Sequence, residues 1–168
     1  MRAEDEAAFR EVFAARARPL RRTAFLLCGD WHRAEDLVQT AFVKLYGSWS
    51  RVREREAIDS YLRTVLVRAY VDDTRRPSRR ERPVAELPDV ALVQQEDSGR
   101  RAELISALRL VPPRQRACLV LRFFDDLSVS DTAAALGCSE GTVKSQTAKG
   151  LVALRGVLNV TMTTGMEM

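Results

Sequence analysis

Histidine and cysteine, the side chains most used in acid–base, nucleophilic or metal chemistry, are few in this 168-residue chain, one and three respectively. The single histidine, His32, has neither a second histidine nor a cysteine pair near it. That argues against a zinc site and against histidine-based catalysis. Cys28, Cys118 and Cys138 are an odd set without CxxC spacing. They speak against a disulfide framework and for a reducing, cytosolic setting, and they read as core filler. Asp72 and Asp73 are adjacent, so on a helix they point in different directions and make a poor acid–base pair. No glycine-rich phosphate loop occurs. No catalytic residue, metal or cofactor is expected, and the chain reads as a binding protein rather than an enzyme.

Charge is what the chain has in quantity. Charged residues make up 30% of it, yet the net charge is only +4 and the isoelectric point about 9.3. The positive charge is concentrated. Between Arg75 and Arg82 stand five arginines in eight residues, more than one helix C-terminus needs for its dipole. Phosphate contact is the economical explanation, and nucleic acid the fitting partner. Simple solubility is the alternative, which net charge alone does not exclude.

A second basic feature lies between Leu127 and Leu151, a stretch that predicts two helices joined by a tight turn. Ser128, three residues before Asp131, is a helix-start signal. Gly137 can end the first helix in the left-handed conformation, and Ser139 restarts a second as its N-cap. The small residues Ala133, Ala134 and Ala135 let two helices cross closely. Val143, Thr147, Leu151 and Leu154 recur at helical spacing and face a core, which turns Lys144, Ser145, Ala148 and Lys149 outward. That short, polar, basic face suits a helix entering a DNA major groove. An ordinary helical hairpin with a solvated face is the alternative.

Other elements must position these groups, and all of them read as helices. Glu4 to Leu27 is predicted as one long helix with Phe9, Val12, Phe13, Leu20, Ala24 and Leu27 as its apolar stripe, kinked or broken at Pro19. Cys28-Gly29-Asp30 stops it. From Trp31 to Trp49 the residues Ala34, Leu37, Val38, Ala41, Phe42 and Leu45 follow the helical rule closely. The opposite face, Glu35, Asp36, Gln39, Thr40 and Lys44, is either solvated or docks a partner helix; periodicity alone favours the first. Gly47 to Glu56 is a polar loop, and its Trp49 either packs locally, the simpler reading, or stacks on an unpaired base. Ala57 to Thr74 is a third helix, with Arg63, Arg68, Asp72 and Asp73 outside.

Arg82 to Arg100 changes character, with two prolines, a glycine and no sustained period, and is predicted as an inter-domain linker. Extended, it reaches roughly 60 Å, and its Val90–Val93 patch offers a place to dock on one module. Ala102 to Leu110 and Arg114 to Phe124 follow as helices, separated by Pro112 and Pro113, the second helix turning Ala117, Cys118, Leu121 and Phe124 to one face. The end, from Val160 to Met168, lacks a pattern and is expected to fray. No apolar run approaches the ~18 residues of a membrane span, and the N-terminus is charged rather than signal-like. The protein is expected to stay in the cytoplasm, away from membranes. The fold class is all-α: two small helical domains joined by a linker, 4–81 and 101–158, with the linker over 82–100 and a tail over 159–168.

This arrangement resembles the extracytoplasmic-function (ECF) sigma factors of bacterial RNA polymerase. The likeness spans nearly the whole chain. Ala34–Tyr46 (AEDLVQTAFVKLY) looks like the helix of sigma domain 2 that grips the polymerase clamp, and Tyr61–Arg76 (YLRTVLVRAYVDDTRR) like its promoter-melting and −10 recognition helix. Leu110–Ala117 (LVPPRQRA) and Gly141–Ser145 (GTVKS) look like sigma domain 4, which reads the −35 element with its helix-turn-helix. Cys28–Thr40 (CGDWHRAEDLVQT) is similar to the actinobacterial SigE-like subgroup.

The resemblance implies roles. Asp36, Gln39 and Phe42 would bind polymerase. Trp49, Arg63, Arg68, Arg75 and Arg76 would serve the −10 DNA, with Trp49 near a flipped base. Thr142, Lys144, Ser145 and Lys149 would meet the −35 duplex. Core RNA polymerase and promoter DNA are the implied partners, and an anti-sigma factor is a further partner left open. The chain departs from the family in places: Arg68 stands where asparagine is frequent, Gln146 where arginine is frequent, and Asp72-Asp73 puts two acids near the expected DNA path. The rivals to a sigma factor are a free-standing helix-turn-helix regulator and a helical polymerase-binding adaptor.

Overall fold

The computed structural model describes residues 2–52, 54–76 and 98–166. The predicted linker up to residue 97, with its Val90–Val93 patch and the arginines beyond Arg76, lies outside them. The described residues form α1 (Ala3–Cys28), α2 (Trp31–Gly47), α3 (Arg55–Thr74), α4 (Ser98–Leu110), α5 (Pro113–Leu119), a π-helical turn (Val120–Phe124), α6 (Val129–Leu136) and α7 (Glu140–Met166). Among these residues there is no strand.

Local chemistry sets most boundaries. Gly29 closes α1 at φ 71°, and its N–H reaches the Phe25 carbonyl at 2.7 Å. Asp30 then accepts from the His32 N–H at 2.9 Å and starts α2. Pro113 occupies the first turn of α5, where its missing N–H has no consequence. Three expectations are corrected. Of the kink or break expected at Pro19, the break is absent, since helix α1 runs through it. Helix α4 begins inside the predicted linker, at Ser98. The tail is helical as far as Met166.

Helices α1, α2 and α3 form an N-terminal bundle around Leu27, Leu37, Leu45, Leu62 and Leu66, all buried. Phe42 meets Phe9 and Phe13 edge-on, at ring separations of 6.3 and 4.8 Å. Helices α4 to α7 form a C-terminal bundle around Leu108, Val111, Leu119 and Val143. The π turn adds a residue to the last turn of the α5 run and rotates Phe124 off the predicted inner face; it is 43% exposed. The two bundles are not separate beads. Ile105, Ala117, Val120, Leu121 and Ala135 join the core of the N-terminal bundle, so apolar contact runs across the junction.

Candidate nucleic-acid interface

The helix-turn-helix forms as its sequence dictates. The Ser128 hydroxyl accepts from the Asp131 N–H at 3.0 Å and opens α6. Gly137, at φ 67°, ends it. Ser139 accepts from the Thr142 N–H at 3.1 Å and opens α7. Val143 is fully buried, and Cys118 and Ala133 pack around it. One helical step round, Lys144, Ser145 and Lys149 are exposed and Thr142 is half-buried at the helix start. A basic side chain on such a face meets phosphate without desolvation cost beforehand.

On α2, Glu35, Asp36, Gln39, Thr40 and Lys44 are all exposed. Phe42 is not part of that face. It is buried in the aromatic cluster, so it shapes the helix from beneath and is corrected from a contact to a support. Val43 and Tyr46 are the exposed apolar members of the surface, 70% and 47% open.

Trp49 is likewise turned inward, 6% exposed, with its ring edge-on to Phe9 at 5.6 Å and its Nε1–H donating to Asp5 at 3.3 Å. Local packing, not an open stacking platform, is what holds it. Arg75 and Arg76 stand exposed just past the end of α3. Arg63 and Arg68 face the C-terminal bundle. Arg63 lies 3.7 Å from an Asp125 carboxylate oxygen. Arg68 donates from Nε to the Ala135 carbonyl and from Nη2 to the Ala134 carbonyl, both at 3.2 Å. Of the two acids near the expected DNA path, Asp73 lies 3.6 Å from Arg33 of its own bundle.

Sequence reasoning missed Asp125, Thr23 and Arg116 as contacts between the bundles. The Thr23 hydroxyl donates to Asp125 at 2.9 Å. Burial pushes the Asp125 carboxyl above the usual carboxylate range, against the opposing pull of Thr23 and Arg63. Only Arg116 left a signal, a cation set between Val111 and Ala117 on an apolar face. A cavity of about 340 Å³ opens at the same junction, with Arg68 and Asp72 of α3 and Arg75 just past its end on one wall and Arg114, Thr142 and Gln146 on the other. Cys118 also lines it, but burial raises its thiol to about 11, which makes it a poor nucleophile.

Among the described residues an all-helical fold with a capped helix-turn-helix, a basic outer face on α7 and an exposed polar face on α2 has the features of a DNA-binding transcription factor. Comparison with known proteins narrows the class. Residues 12–80 match sigma-70 region 2 and residues 101–154 match sigma-70 region 4. The RNA polymerase sigma-E factor of Streptomyces avermitilis is 38% identical over 148 residues, covering 88% of this chain and 83% of its own. The ECF RNA polymerase sigma factor SigM of Mycobacterium tuberculosis is 33% identical over 166 residues, covering 94% and 82%. Among solved structures, the sigma factor RpoE from Bartonella quintana, in complex with the anti-sigma factor NepR, superposes with a TM-score of 0.73 at 25% identity, over 90% of this chain and 97% of that one. The chain belongs to the sigma-70 family, in its ECF branch, and is similar to the sigma-E factors. It directs core RNA polymerase to promoters and initiates DNA-templated transcription.

Proposed function

We propose that the exposed face of α2, led by Asp36 and Gln39 with Phe42 as its support, docks on the clamp region of core polymerase. Arg63, Arg68, Arg75 and Arg76 serve the −10 element beside the loop that Trp49 anchors, and Thr142, Lys144, Ser145 and Lys149 hold the −35 duplex. In this reading residues 4–81 form the polymerase- and −10-binding module, 82–100 the linker, 101–158 the −35-binding module and 159–168 the tail. Catalysis belongs to the polymerase, and the protein works beside it in the cytoplasm. The likeness to a sigma factor held by an anti-sigma factor supports a negative regulator of that kind.

The observation that carries the reading is one of exposure. Asp36 and Gln39 on α2, and Lys144, Ser145 and Lys149 on α7, are polar and exposed. The test is transcription from genomic fragments by purified core enzyme with and without this protein, beside DNA binding by the protein alone over a salt series. Specific initiation that depends on the added protein supports the reading. Tight specific binding without polymerase favours a free-standing regulator, and polymerase binding without initiation favours an adaptor.

A further inference from the structure

We propose that the cavity between α3 and the start of α7 is a binding site for a small organic polyanion, a nucleoside diphosphate. The site stands apart from the promoter contacts assigned above, and its test uses neither polymerase nor promoter.

Three observations carry it. The first is charge. Arg68, Arg75 and Arg114 line the cavity with one carboxylate, Asp72, so the cationic side chains outnumber the anionic one. Guanidinium forks match phosphate oxygens in shape as well as charge. Arg68 is already set in position, because its Nε and Nη2 donate to the Ala135 and Ala134 carbonyls at 3.2 Å. Those bonds order the group before a ligand arrives and leave Nη1 to donate. Arg75 and Arg114 are exposed and come from opposite walls. The second is the mixed lining. Val71, Leu136 and Cys118 supply apolar surface, and Asp72, Thr142 and Gln146 supply acceptors and donors beside it. Bare phosphate gains nothing from the apolar wall and is repelled by Asp72. A nucleoside uses all of it: a ring against Val71 and Leu136, ribose hydroxyls donating to Asp72, and a base edge for the Gln146 amide. About 340 Å³ is at the small end of ligand pockets, the size for one mononucleotide. The third is where the departures from the family pattern fall. Arg68, Asp72 and Gln146 come from two helices far apart in sequence, yet all three line this one cavity. Arginine in place of asparagine at Arg68 brings charge in, and Gln146, shorter than the frequent arginine, leaves the space open.

The test is equilibrium dialysis of the full chain against ADP, GDP, adenosine and inorganic pyrophosphate in magnesium-free buffer. ADP or GDP is expected to saturate one site per chain, at least about 10-fold more tightly than adenosine or pyrophosphate, because neither half fills the cavity alone. Arg114→Ala is expected to weaken the nucleotide about 10-fold, the loss of one charge-assisted contact. Gln146→Arg fills the space of the ring while adding positive charge. It is expected to weaken the nucleotide about 10-fold and to leave pyrophosphate unchanged or tighter. Arg114 is exposed and Gln146 half-buried, so both variants are expected to keep the wild-type thermal midpoint within about a degree or two, which separates lost binding from lost folding. Pyrophosphate that binds as tightly as either nucleotide overturns the proposal. So does the absence of saturable nucleotide binding below about 1 mM, or an Arg114→Ala or Gln146→Arg protein that binds nucleotide as the wild type does. Such a failure leaves the promoter reading untouched, since neither DNA nor polymerase takes part. Conversely, a protein without promoter-dependent initiation that still binds ADP or GDP in this pattern keeps the site and loses the promoter reading.

Discussion

The Arg116 guanidinium, on α5, donates to the Leu27 carbonyl at the end of α1 across 2.7 Å. The same group also donates to the Val111 carbonyl at 2.8 Å and the Arg109 carbonyl at 2.6 Å. A buried cation here satisfies the open carbonyl ends of two helices at once, and burial lowers its pKa from the ordinary arginine value. Replacing Arg116 by Met leaves those carbonyls without a donor. Urea unfolding should show a loss of about 2–4 kcal/mol, from unsatisfied buried acceptors. Arg116→Lys keeps the charge but not the fork, and should fall between the two.

Asp125 gives a pH prediction. Its folded-state pKa is raised, chiefly by desolvation. A raised value means that its contribution to stability is full below the ordinary carboxylate pKa and is lost as pH rises through the folded value. Asp125→Asn keeps an acceptor for the Thr23 hydroxyl and removes the charge. The stability of the variant relative to wild type should therefore increase as pH rises above about 4. Urea midpoints of both proteins between pH 4 and 7 check this, and a difference independent of pH refutes it.

On α2 the exposed face and the buried face should separate cleanly. Gln39→Ala should weaken binding to core polymerase in a direct binding titration while leaving the thermal midpoint within about a degree or two, as exposed sites do. Phe42→Ala should instead cost about 3–5 kcal/mol of stability, because it empties the space against Phe9 and Phe13.

Lys144→Ala should weaken promoter binding by the holoenzyme and reduce the slope of log affinity against log salt by about one, the signature of one lost phosphate contact. A slope equal to wild type would remove Lys144 from the DNA backbone.

Local information sufficed for much of this molecule. A period of 3.6 places Leu37, Phe42 and Leu45 inside and Asp36, Gln39 and Lys44 outside, whatever the helix packs against. Caps act over three or four residues, so Ser128, Gly137 and Ser139 fixed the helix-turn-helix and with it the outward turn of Lys144 and Lys149. The burial of Trp49 was harder to read, because its partners Asp5 and Phe9 lie some forty residues away along the chain. Only the tertiary structure decided that Arg63 and Arg68, equally exposed on a helical wheel, meet Asp125 and the end of α6. Such contacts depend on how two bundles are set against each other, and no periodicity within either bundle encodes that. The outward turn of the basic side chains was legible in the sequence; which of them are already occupied was settled by packing between distant segments, where a hydrogen bond has no sequence-local trace.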